Sequence, residues 1–137
     1  MKKLIVLFVC LISLNFYAQE TQFNWLTDLN TAVKASKDQN KPILLFFTDT
    51  NSTESQKMNI ELFKSQEFKA IADKAILLIA DNSSENNIPK RLIIHYNKIN
   101  QFSSFVTLDS TGKAIGTPTT DFSTESLNSY ISFLNSL

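Results

Sequence analysis

The 137-residue sequence predicts an α/β fold in three layers, a central mixed β-sheet flanked by helices. Three observations lead there. Ile43 to Phe47 and Ala75 to Ala80 are wholly apolar runs, the pattern of strands covered on both faces. The chain between them is polar with helical spacing, enough for a right-handed parallel crossover. Further on, the apolar run Phe105 to Leu108 is followed by Asp109-Ser110-Thr111-Gly112-Lys113, a turn that joins antiparallel strands because glycine accepts positive φ.

Taken in order, Asn24 and Trp25 introduce a helix in which Leu26, Leu29, Ala32 and Val33 recur on one face and Lys34, Lys37 and Asp38 on the other. It ends before Asn40 and Pro42. Trp25 reads as a large aromatic closing an edge of the core. Pro42 suits only the start of the first strand, Ile43 to Phe47. Asp49, Thr50 and Asn51 form a polar loop, and Glu54 three residues after Asn51 predicts a capped helix beginning at Ser52 and reaching about Phe63. A short helix from Gln66 to Lys74 precedes the second strand. After the polar loop Asn82 to Asn87, Pro89 to Asn97 forms another helix, with Leu92, Ile93 and Tyr96 at helical spacing. Ala114 to Gly116 begins the return strand of the hairpin. A last helix, capped near Ser123, buries Leu127, Ile131, Leu134 and Leu137.

The stretch Lys41-Pro42-Ile43-Leu44 running into a helix that carries Lys57-Met58 resembles the small extracytoplasmic members of the thioredoxin-like family, and Trp25, Ala32 and Ala35 fit the same beginning. The resemblance implies a thioredoxin-like fold over most of the chain after the leader. It places the family's Cys-x-x-Cys pair at Ser52 and Ser55 and its cis-proline at Ser103. The family's chemistry uses a thiolate whose pKa is lowered at a helix N-terminus. A serine hydroxyl stays protonated at physiological pH and forms no disulfide, so the resemblance implies the fold without the redox chemistry. With serine in place of proline, the bond before Ser103 is expected to be trans, since a cis bond there costs about 3–4 kcal/mol. Glu54 would repel a neighbouring thiolate, but its spacing from Asn51 already explains it as a helix cap, which is the preferred reading.

Met1-Lys2-Lys3, the apolar run Leu4 to Leu14 and Ala18 form a secretory signal pattern, with domain limits of 1–18 for the leader and 19–137 for the fold. The apolar run is too short for a membrane span, and Cys10 lies within it without the small residues that precede a lipid-modified cysteine. Cleavage after Ala18 removes 18 of 137 residues, leaves 119 for one domain and no cysteine, and turns 13 basic and 13 acidic residues into 11 and 13, a net charge of −2. That charge offers nothing to nucleic acid. Asn51-Ser52-Thr53 and Asn82-Ser83-Ser84 also match the N-glycosylation pattern.

Serine hydrolysis needs an oriented base, and His95 is the only histidine; Gly-x-Ser-x-Gly is absent. No His/Cys cluster suits a metal, and no cofactor is expected. Binding remains. Thr48 to Ser55 facing Phe102 to Ser104 predicts a shallow polar groove at the carboxyl end of the first strand, with Thr50, Asn51, Glu54, Phe102 and Ser104 as its binding residues. The expected partner is a protein or peptide of the cell envelope. The alternative is an oxidoreductase that acts through a partner's cysteine.

Overall fold

The computed structural model of the protein describes residues 22–85 and 87–137. The expected leader and Cys10 lie outside them. Among the described residues nine elements follow one another: α1 (Leu29–Gln39), β1 (Ile43–Thr48), α2 (Thr53–Lys64), α3 (Gln66–Lys74), β2 (Ile76–Asp81), α4 (Asn87–Tyr96), β3 (Ser104–Leu108), β4 (Ala114–Thr119) and α5 (Thr124–Asn135). The strands form one mixed sheet in the order β2-β1-β3-β4. β1 pairs in parallel with β2, Ile43 opposite Ile76, and antiparallel with β3, Ile43 opposite Leu108. β3 and β4 form the expected hairpin, with a register shift between Phe105 and Thr107.

The period of two in β1 divides the core between the faces of the sheet. Leu44 and Phe46 point to one side and meet Leu62 of α2, Phe68 and Ile71 of α3, and Leu127, Tyr130 and Leu134 of α5. Ile43, Leu45 and Phe47 point to the other and meet Ala32 of α1, Leu92 of α4, Val106 and Leu108. Both faces of β1 are buried, as a run of five apolar residues demands. Trp25 closes the edge of the first core, its ring 5.7 Å from Phe46 and 5.6 Å from Phe63.

Several boundaries differ from the sequence reading. The first helix starts at Leu29, because the Asp28 carboxylate caps it by accepting from the Thr31 amide at 2.8 Å. Leu26 instead joins the outer edge of β2: its N–H donates to the Leu77 carbonyl at 2.8 Å, and its carbonyl accepts from Ile79 N–H at 2.9 Å. Such a strand-like segment satisfies an edge that would otherwise stand open. Helix α2 starts one residue later than expected, with Ser52 as its cap. In α5 the buried stripe is Leu127, Tyr130 and Leu134, and Leu137, beyond the helix end, is 61% exposed. β4 runs on through Gly116, whose φ of +71° brings its backbone against the Phe133 ring.

Candidate functional site

The carboxyl end of β1 carries the chain into a loop held by its own side chains. Thr48, the last residue of the strand, is buried. Asp49 Oδ1 accepts from Asn51 N–H at 3.0 Å, and the Asp49 carbonyl accepts from Ser52 N–H at 2.9 Å. Thr50 reaches sideways to β2, where its N–H donates to Asp81 Oδ1 at 3.2 Å and its hydroxyl to Asp81 Oδ2 at 2.7 Å. Ser83 also donates to Asp81 through N–H and hydroxyl. Partial burial alone would raise the Asp81 pKa; the hydrogen bonds from Thr50 and Ser83 outweigh it and hold the carboxylate below its ordinary value.

Ser52 Oγ accepts from Ser55 N–H at 3.2 Å and so caps α2. The expected reciprocal cap between Asn51 and Glu54 is not made, because Asn51 is engaged with Asp49 and Glu54 stands exposed in the first turn. One turn of helix aims Ser55 inward, where it is fully buried. Its hydroxyl lies 3.2 Å from Thr48 Oγ1, accepts from Asp49 N–H at 3.2 Å, and lies 2.8 Å from Ser103 Oγ. Ser103 donates to Asn59 Oδ1 at 2.6 Å, and Asn59 Nδ2 donates to Thr48 Oγ1 at 2.7 Å.

Of the three positions inferred from the resemblance, Ser55 and Ser103, 48 residues apart, therefore meet in space. The peptide bond before Ser103 is cis, contrary to the expectation of a trans bond. The expectation weighed only the intrinsic preference of the bond, whereas Ser103 is buried between Ser55 and Asn59 while Ser104 enters the β3 pairing with Phe47.

Among the residues expected to bind, Thr50, Asn51 and Glu54 are exposed along one side of the site and Phe102 is half-buried on the other, its ring packed on the second core. Ser104 is buried and gives its hydroxyl to the Gln101 carbonyl at 2.7 Å, so it supports the loop beneath the surface. Sequence reasoning placed Thr48 in the groove but missed Asn59 and Asp81. Asn59 follows Ser55 by four residues, which puts both on one face of α2, and this spacing was the available signal. Asp81 was visible only as the end of an apolar run.

His95 is exposed on α4 and packs edge-on against Tyr96, ring centroids 4.5 Å apart. Among the described residues no group of three or more His, Cys, Asp or Glu side chains could hold a metal ion, and no helix is long and apolar enough to cross a membrane. What the site offers chemically is an exposed polar rim over a buried set of hydroxyls, with a helix N-terminus at its centre.

A sequence model described as thioredoxin-like matches residues 24–106. Among solved structures, a DsbH oxidoreductase is 26% identical with a TM-score of 0.64, over 86% of this chain and 90% of that one. A thioredoxin from Thermus thermophilus superimposes with a TM-score of 0.60 at 12% identity, covering 83% of this chain and 85% of its own. A disulphide isomerase from Xylella fastidiosa Temecula1 reaches a TM-score of 0.56 at 17% identity, covering 83% of this chain and 99% of its own. No curated protein matches the chain by sequence.

Proposed function

The chain belongs to the thioredoxin-like family, and on that premise we propose that it is an exported, redox-inactive member that binds a protein or peptide partner in the cell envelope. The observation that carries the proposal is the pair Ser52 and Ser55: the first caps α2 and the second lies buried in its opening turn, where the family chemistry would need thiolates. The whole sequence holds a single cysteine, Cys10, so no disulfide can form within one chain. The export reading rests on the basic and apolar segments ahead of Ala18. Binding uses the groove at the carboxyl end of β1, with Thr50, Asn51 and Glu54 on one rim and Phe102 on the other.

A second reading, an oxidoreductase that works through a partner's cysteine, draws support from the 26% identity to a DsbH oxidoreductase. Reduction of a protein disulfide by dithiothreitol separates the two. The proposal expects the uncatalysed rate with the protein lacking residues 1–18. Turnover that persists after removal of contaminating thioredoxins, and that responds to Ser52→Ala or Ser55→Ala, favours the enzyme.

A further inference from the structure

The buried hydroxyls around Ser55 can be followed proton by proton. Ser103 donates to Asn59 Oδ1, an atom that can only accept. Its one proton is then used, so in the 2.8 Å bond between the serines Ser55 donates and Ser103 accepts. Ser55 in turn has no proton for Thr48, so Thr48 donates to Ser55 across 3.2 Å, and Thr48 accepts from Asn59 Nδ2 at 2.7 Å. The bonds run one way around a closed ring, from the Asn59 amide through Thr48, Ser55 and Ser103 back to the Asn59 carbonyl.

We infer that this ring is the clamp that holds α2 against the loop before β3, and that Asn59 is its positioning residue. The ring joins three separate segments: Thr48 at the end of β1, Ser55 and Asn59 on α2, and Ser103 beside β3. Asn59 alone carries donor and acceptor on different atoms, so it both starts and closes the circuit. Thr48, Ser55 and Ser103 are 0 to 1% exposed, where an unmade hydrogen bond is most damaging, and half-buried Asn59 covers them.

The ring has a chemical consequence. Ser55 gives its proton to Ser103 and receives Thr48 O–H and Asp49 N–H on its lone pairs, so it has neither a free lone pair for attack nor a free proton to lose. A prolyl ring at position 103 would bring no hydroxyl and would open the circuit. Serine there is a different way of joining the same two walls, coupled to serine at position 55. The groove they support is the one proposed above for binding, but the inference rests on the bonds alone and is tested without a ligand.

Thr48 and Ser103 share no hydrogen bond, yet each completes the other's circuit. Urea unfolding of Thr48→Val, Ser103→Ala and the double variant reads this directly. A closed ring predicts that each single change lowers the midpoint and that the double change lowers it by clearly less than the sum, because the first break already opens the circuit. Additive shifts would overturn the inference. A second measurement decides the matter should the double variant fail to fold: in Asn59→Leu, amide exchange at Ser103 and Ser104 accelerates while that of Leu77 and Leu78 keeps the unsubstituted rate. Unchanged exchange at Ser103 would remove Asn59 from the role. Ser103→Pro serves as the directional control, with a lowered midpoint expected and a raised one counting against the ring.

Discussion

Raising the pH isolates one buried phenol. Tyr130 on α5 is 6% exposed, packs against Phe105 with ring centroids 4.7 Å apart, and shares a hydrogen bond with the Thr107 hydroxyl of β3. Burial pushes its pKa up to about 12 from an ordinary 10.0, the Thr107 bond offsetting only part of the effect. A phenol whose folded pKa is raised holds its proton more tightly in the folded state. The associated stability is therefore complete below about pH 10 and is lost as the pH rises through the folded value. Two pKa units at about 1.36 kcal/mol each give a total of about 2.7 kcal/mol, of which about 1.4 kcal/mol is gone by pH 11. Tyr130→Phe leaves nothing there to ionise. It forfeits the bond to Thr107 at neutral pH, a loss of about 1 kcal/mol. Urea unfolding of both proteins from pH 8 to 11.5 tests the reasoning, since every other group, Tyr96 with its raised pKa included, titrates in both and cancels. The unsubstituted protein is expected to be the more stable at pH 8, with the difference vanishing near pH 11. Parallel curves over the whole range would refute the assignment.

Two further outcomes follow from the geometry. Ser52→Ala removes the N-cap of α2 without touching the buried ring, so thermal or urea unfolding is expected to register a loss of about 1 kcal/mol. Gly116→Ala sets a Cβ 2.7 Å from Phe133 Cζ at a residue with φ of +71°, and the expected destabilisation is about 1–3 kcal/mol. Movement of Phe133, seen as a shift of its ring resonances, would relieve only the contact and leave the cost of the positive φ, so a neutral result would refute the strain as well.

The groove residues show where reading by residue type stops. Counting back from Lys57 and Met58 reaches Ser52 and Ser55, and the structure makes Ser52 the N-cap of α2 and sets Ser55 in its first turn. Asn51 and Ser52 both make good caps, and only the loop's path, with Asp49 holding Asn51, selects Ser52 between these neighbours. The spacing of Leu26 from Leu29 and Val33 fits a helix, whereas its pairing with β2 outside the crossover is a long-range event that local periodicity does not encode.

The sequence by itself determined the strands and the existence and order of the helices, because two apolar runs of strand length, a glycine turn and amphipathic periodicity are local signals whose meaning barely depends on distant residues. It also determined that these 137 residues contain no pair of cysteines, since that is a matter of composition. Tertiary structure alone decided what stands in the pair's place. Thr48, Ser55, Asn59 and Ser103 are ordinary polar residues whose hydrogen bonds to water would be equivalent in an unfolded chain. Folding brings Ser55 and Ser103 together across 48 positions and removes the solvent, leaving these hydroxyls one another, the Asn59 amide and the Asp49 N–H as partners. Burial turned four unremarkable side chains into one circuit, and burial belongs to the fold rather than to any residue in it.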